Sequence, residues 1–130
     1  MEFPQVRVLL DIALEEKNPE DVVHWHALLP KIALANDELQ DRVATALQQR
    51  FPDQSLAIWK DLAEGNIALT KRTAYQTAAA YLRKARQVLG KERRAEWTSY
   101  VQTLRQENAR KRLFLEILDG LEDRPLLKKK

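Results

Sequence analysis

The sequence predicts an all-α protein of antiparallel helical hairpins, arranged as a short tetratricopeptide-like (TPR-like) solenoid or a compact helical bundle. Three observations carry this. Leu and Ala, both strong helix formers, dominate the apolar residues, while β-branched residues are few and scattered. Apolar positions recur at spacings of three and four along most of the chain, the period of an amphipathic helix. Only three glycines and five prolines interrupt 130 residues, and most of them fall where an apolar stripe ends.

The first stripe, Val6, Leu9, Leu10, Ala13 and Leu14, predicts a helix from Pro4 to Glu16. Lys17-Asn18-Pro19 ends it, because the residue before proline is pushed out of the α region. Pro19 then suits a first helical position, with Glu20 and Asp21 at the amide end of a helix carrying Val22, Val23, Trp25, His26 and Leu29. Pro30 either kinks that helix or starts a short one through Ala35. Asn36 is the expected cap of a helix from Asp37 to Arg50, striped by Leu39, Val43, Ala46 and Leu47. After Phe51-Pro52, Asp53 is expected to cap a helix presenting Leu56, Ile58, Trp59, Leu62 and Ala63, with Gly65-Asn66 as its stop.

Thr70 is the expected cap of a long helix from Lys71 to Leu89, ended by Gly90. The final element reads as one continuous helix from Arg93 to Leu121, because Leu104, Asn108 and Leu115 lie near one angular position. Six or so helices result. Trp59, Ala78, Tyr81, Leu82, Trp97, Leu104 and Leu118 are the expected core anchors. Trp25, Trp59 and Trp97 open similar amphipathic turns at separations of 34 and 38 residues, the length of a helical-hairpin repeat.

The expected organisation is a single helical domain over 1–123, standing alone or as a fragment of a larger protein, followed by a basic flexible tail over 124–130. With no cysteine, disulfides, thiolate nucleophiles and sulfur-ligated metal sites are excluded. No stretch approaches the roughly 18 consecutive apolar residues of a membrane span. A cytoplasmic protein with no membrane partner is the expectation. Charge is polarised: residues 1–64 carry 6 basic and 12 acidic side chains, residues 65–130 carry 16 and 7. Such asymmetry steers acidic partners or nucleic acid, and equally holds together the halves of one fold.

The run from Ala74 to Arg86 (AYQTAAAYLRKAR), followed by Glu96 to Arg105 (EWTSYVQTLR) and Asn108 to Leu118 (NARKRLFLEIL), resembles the helical region found carboxyl-terminal to SWIM-type zinc fingers in bacterial proteins. The resemblance spans about Ile58 to Leu121. It implies a solenoid-style tail, and a larger protein whose zinc module contacts DNA or proteins. That module needs three cysteines and a histidine, so zinc binding is not carried over to any residue here.

Chemistry-bearing motifs are sparse. His24 and His26 point about 200° apart on a helix and do not converge on a metal. Gly90-Lys91 lacks the remaining glycines and hydroxyl of a phosphate loop. The pairs Glu15-Glu16 and Glu20-Asp21 read as solvated helix-end charge. No catalytic residue, metal ligand or cofactor is expected. The strongest polar feature is a basic set that includes Lys84, Lys91 and Arg105, with Arg83, Arg86, Arg93, Arg94, Arg110, Lys111 and Arg112 as candidate polyanion-binding residues. The expected function is a non-catalytic helical-repeat module for protein interaction or scaffolding. The alternative is a nucleic-acid-binding accessory domain that uses the basic half.

Overall fold

The computed structural model describes residues 3–121, and the expected basic tail over 124–130 lies outside them. Every regular element among the described residues is helical: α1 (Phe3–Glu15), α2 (Pro19–Ala27), α3 (Lys31–Leu34), α4 (Asp37–Leu47), α5 (Pro52–Ile67), α6 (Arg72–Leu89), α7 (Arg94–Glu107) and α8 (Arg112–Leu121). The all-α class is thus observed, with eight helices where six or so were expected. Contacts group the chain into two compact units, Met1–Trp59 and Lys60–Lys130, the boundary falling inside α5. Each unit is described by itself.

In the first unit α1, α2 and α4 pack around Val6, Leu10, Ala13, Val22, Leu29, Leu39, Val43 and Leu47. The α1 stripe ends as the sequence requires. Lys17 takes the left-handed conformation (φ 56°), its amide bonds to the Leu14 carbonyl, and the Asn18 amide bonds to the Ala13 carbonyl. This is the Schellman arrangement, which satisfies carbonyls left open at a helix end. Asn18 then caps α2 by accepting the Asp21 amide, and Asn36 caps α4 by accepting the Leu39 amide. Pro30 starts α3 instead of kinking α2, since its fixed φ precedes Lys31 in extended backbone.

Two polar contacts fix the first turns of α5 onto α4. Ser55, fully buried, donates its hydroxyl to the Ala44 carbonyl at 2.6 Å, and the buried Trp59 donates its indole N–H to the Asp41 carboxylate at 2.8 Å. The helix begins at Pro52, one residue before the cap expected at Asp53. It also runs through the expected stop at Gly65-Asn66. Leu62, Ala63, Asn66 and Ile67 are buried, and the Asn66 side chain donates to the Leu62 carbonyl one turn back. Burial of that face outweighs the propensity of a single glycine.

In the second unit α6 packs against both α7 and α8. Its buried face is Ala74, Tyr75, Ala78, Ala79, Leu82, Ala85 and Leu89, with Tyr75 tilted against Phe114 of α8 at 5.7 Å between ring centroids. Of the expected core anchors, Tyr81 is only half-buried, and the tyrosine of the core is Tyr75. The other six are buried. Lys71 and not Thr70 precedes α6 as its cap residue; Thr70 itself is left-handed at φ 52°.

The continuous helix expected over Arg93–Leu121 is two helices. Asn108 ends α7, its backbone and side-chain N–H groups both donating to the Leu104 carbonyl, and Asn108 to Lys111 form a turn before α8 starts at Arg112. A side chain that supplies its own local hydrogen bond competes with helix propagation. The break lets α8 return along α6, where Arg105 of α7 also pairs with Asp119 of α8 at 2.7 Å.

A cationic cleft in the second unit

Along α6 the residues Arg83, Arg86, Gln87 and Gly90 fall at the spacing i, i+3, i+4 and i+7, which places them on one helical face. Gly90 terminates α6 with φ 60° and ψ −164°, a conformation essentially reserved for glycine. The chain then turns into α7, whose Arg94 and Trp97 are again three apart. Gly120 and Leu121 of α8 complete the lining. Together with Lys91 these residues line an open cleft of about 520 Å³.

Among the described residues nine line the cleft; four of them are cations, Arg83, Arg86, Lys91 and Arg94, and none is a carboxylate. Arg86 is structural, since its guanidinium donates to the Leu121 carbonyl at 2.8 Å and so ties the end of α8 to α6. That contact satisfies a carbonyl the helix end leaves open. Arg83, Lys91 and Arg94 are exposed and form no ion pair among the described residues. Trp97 and Leu121, both buried, show only small edges to the cleft.

The seven candidate polyanion-binding residues therefore divide. Arg83, Arg86 and Arg94 meet in the cleft, joined by Lys91, which belonged to the wider basic set and not to the candidate site. Arg93 turns away to clamp Glu96 with two hydrogen bonds of 2.6 and 2.9 Å, and this pairing holds the Glu96 carboxyl below the usual carboxylate range. Arg110, Lys111 and Arg112 sit at the α7–α8 turn and do not line the cleft. Lys111 instead borders a smaller hollow with Glu64 and Glu107.

The aromatic residues of this unit are engaged in packing. Tyr75 and Trp97 are buried, and Tyr81 is half-buried with the Lys84 ammonium 5.9 Å from its ring centroid. Tyr100 donates to the Glu64 carboxylate at 2.6 Å and carries the Lys60 ammonium 4.5 Å from its ring centroid. Burial first, and the Glu64 carboxylate second, raise its phenol well above the usual tyrosine range.

In the first unit the two histidines do not converge. His24 meets the edge of Trp25 at 4.5 Å between centroids, while His26 hydrogen-bonds Gln40 at 2.7 Å. Among the described residues no group of three or more His, Cys, Asp or Glu side chains is placed to hold a metal ion. Nor is any helix there long and apolar enough to cross a membrane. Trp59 and Trp97 are buried, whereas Trp25 is half-buried. No family model, curated protein or solved structure matches the chain.

Proposed function

We propose that the protein is a non-catalytic interaction module whose second unit binds an acidic segment of a protein partner in the cationic cleft. The observation that carries this reading is the convergence of Arg83, Lys91 and Arg94 on one cleft that has no carboxylate in its lining among the described residues. Like charges gathered in a concave surface focus field and raise the local concentration of an anionic partner. The resemblance over Ile58 to Leu121 coincides closely with the second unit and supports an accessory, binding role for it.

An acidic segment fits better than nucleic acid for two reasons. The free cations are compact instead of strung along a groove, as a tracked phosphate backbone requires. The aromatic rings that would stack on bases are buried, half-buried against a cation, or bonded to Glu64. The separate basic run Arg110-Lys111-Arg112 is what favours nucleic acid as the second reading.

The test compares the full chain with a variant carrying Arg83→Glu, Lys91→Glu and Arg94→Glu, which spares the structural Arg86 and Arg93. Fluorescence anisotropy is measured against a labelled heptaglutamate and against single-stranded and duplex oligonucleotides, at low and physiological salt. We expect the peptide to bind and the triple variant to lose at least about tenfold in affinity with unchanged circular dichroism, the loss shrinking as salt screens the charges. Tighter binding of oligonucleotide than peptide at physiological salt, abolished in the variant, would put nucleic acid first. Absence of peptide binding would remove the proposal.

A further inference from the structure

Arg83, Lys91 and Arg94, the exposed cations of the cleft, form no ion pair among the described residues. Two carboxylates nevertheless follow the last lining residue directly in sequence, since Leu121 precedes Glu122 and Asp123. After them come Arg124, Pro125, two leucines and three lysines, so this pair is the last of the side-chain carboxylates in the chain.

Arg86 fixes the point from which the pair departs. Its guanidinium donates to the Leu121 carbonyl at 2.8 Å, and that carbonyl is half of the planar peptide group joining Leu121 to Glu122. The hydrogen bond that ties the end of α8 to α6 thus anchors the link to Glu122 on a residue of the cleft's own lining. Consecutive Cα atoms are about 3.8 Å apart, so the Cα atoms of Glu122 and Asp123 lie within about 8 Å of that of Leu121 whatever conformation the backbone takes. A group on so short a tether competes at an effective concentration on the order of millimolar, and it need not bind tightly to hold a site. The attraction that draws a partner's acidic segment toward the cleft acts on these two carboxylates as well.

We infer that Glu122 and Asp123 are a built-in competitor for the cleft: their carboxylates engage its exposed cations, and an acidic partner segment binds by displacing them. This names the regulation of the acidic-segment site and rests on that reading. Occupation by the chain's own pair scales the apparent affinity for any ligand by the fraction of clefts left open. A segment bearing many carboxylates overcomes the pair, whereas one bearing a single carboxylate does not, so the contact discriminates between partners by charge.

The experiment uses the full chain, labelled heptaglutamate and fluorescence anisotropy at physiological salt. Glu122→Gln with Asp123→Asn is compared with unaltered protein and with Glu15→Gln plus Glu16→Gln, which removes the same charge from exposed positions of α1 that line no cleft. The Glu122/Asp123 variant should bind the peptide at least about threefold more tightly than unaltered protein, and the α1 variant should match unaltered protein. Adding Arg83→Glu, Lys91→Glu and Arg94→Glu to the Glu122/Asp123 variant should abolish the gain. Side-chain Nε–Hε signals of Arg83 and Arg94, recorded without peptide, give a second readout: they should shift in the Glu122/Asp123 variant and stay in place in the α1 variant. Equal peptide affinities for the Glu122/Asp123 variant and unaltered protein would overturn the inference and leave the acidic-segment reading standing. An equal gain in the α1 variant would overturn it too, as an effect of net charge alone, and so would unmoved arginine signals. Failure of the peptide to bind even the Glu122/Asp123 variant would remove the underlying reading as well.

Discussion

Replacing Trp59 tests the joint between α4 and α5 in the first unit. Its side chain has 1% of its surface exposed, and its indole N–H reaches the Asp41 carboxylate at 2.8 Å. Truncation to alanine removes a large buried aromatic, which costs about 3 to 5 kcal/mol in lost transfer energy and cavity formation. The lost hydrogen bond to a charged acceptor adds about 1 to 2 kcal/mol, reduced because the half-buried Asp41 regains water. The total, about 4 to 7 kcal/mol, rivals the whole stability of a small domain. Trp59→Phe is therefore the better instrument. It keeps most of the volume and loses the bond, for an expected cost of about 1 to 2 kcal/mol. Asp41→Asn retains an acceptor oxygen and should cost less than about 1 kcal/mol. Urea denaturation followed by far-ultraviolet circular dichroism measures all three through the shift in midpoint at constant slope. A phenylalanine variant as stable as the original protein would refute the hydrogen-bond argument. An alanine variant within about 1 kcal/mol of it would refute Trp59 as the anchor of the joint.

The remaining predictions concern backbone and pH. Gly65→Ala should stabilise the protein by about 0.5 to 1 kcal/mol, since the site is helical and open, whereas Gly90→Ala should destabilise it by about 1 to 3 kcal/mol because of its positive φ. The two thermal midpoints should move in opposite directions, and a common direction would contradict the backbone argument. Tyr100 has a raised folded pKa, so its contribution is fully present below the ordinary tyrosine value near pH 10 and is lost as pH rises toward the folded one. Alkaline denaturation should accordingly be shallower in Tyr100→Phe; an unchanged slope above about pH 10 would show that the phenol is not the group responsible.

The sequence was most readable where local chemistry and burial agree. The Asn36 cap, the opening of α2 by Pro19 and the closure of α6 by Gly90 each follow from one residue with one mechanism. Legibility fell where two local preferences compete. Asn108 kept the angular register of a helix, and only its bonds to the Leu104 carbonyl show that it ends one. Gly65 looked like a stop because propensity is local, while the burial of Leu62, Ala63 and Ile67 that overrules it is tertiary. The cleft was half visible. Arg83 and Arg86 follow from helical spacing and Arg94 from the turn after Gly90, whereas Arg93, expected beside Arg94, pairs with Glu96, and Lys91 stood only in the wider basic set. Gly120 and Leu121 come from an element whose return depends on the Asn108 break, so nothing near Arg83 in the sequence announces them.

That break has a thermodynamic consequence. Because one wall of the cleft belongs to α8, the site exists only while α8 is docked on α6, held in part by Arg86 across 35 residues of chain. Local opening of a single helix is an equilibrium of its own, distinct from global unfolding. Apparent affinity at the cleft is then the intrinsic affinity scaled by the docked fraction, and any ligand that enters must in turn slow hydrogen exchange in α8. On the proposed reading, occupancy of the cleft and protection of α8 should therefore rise and fall together.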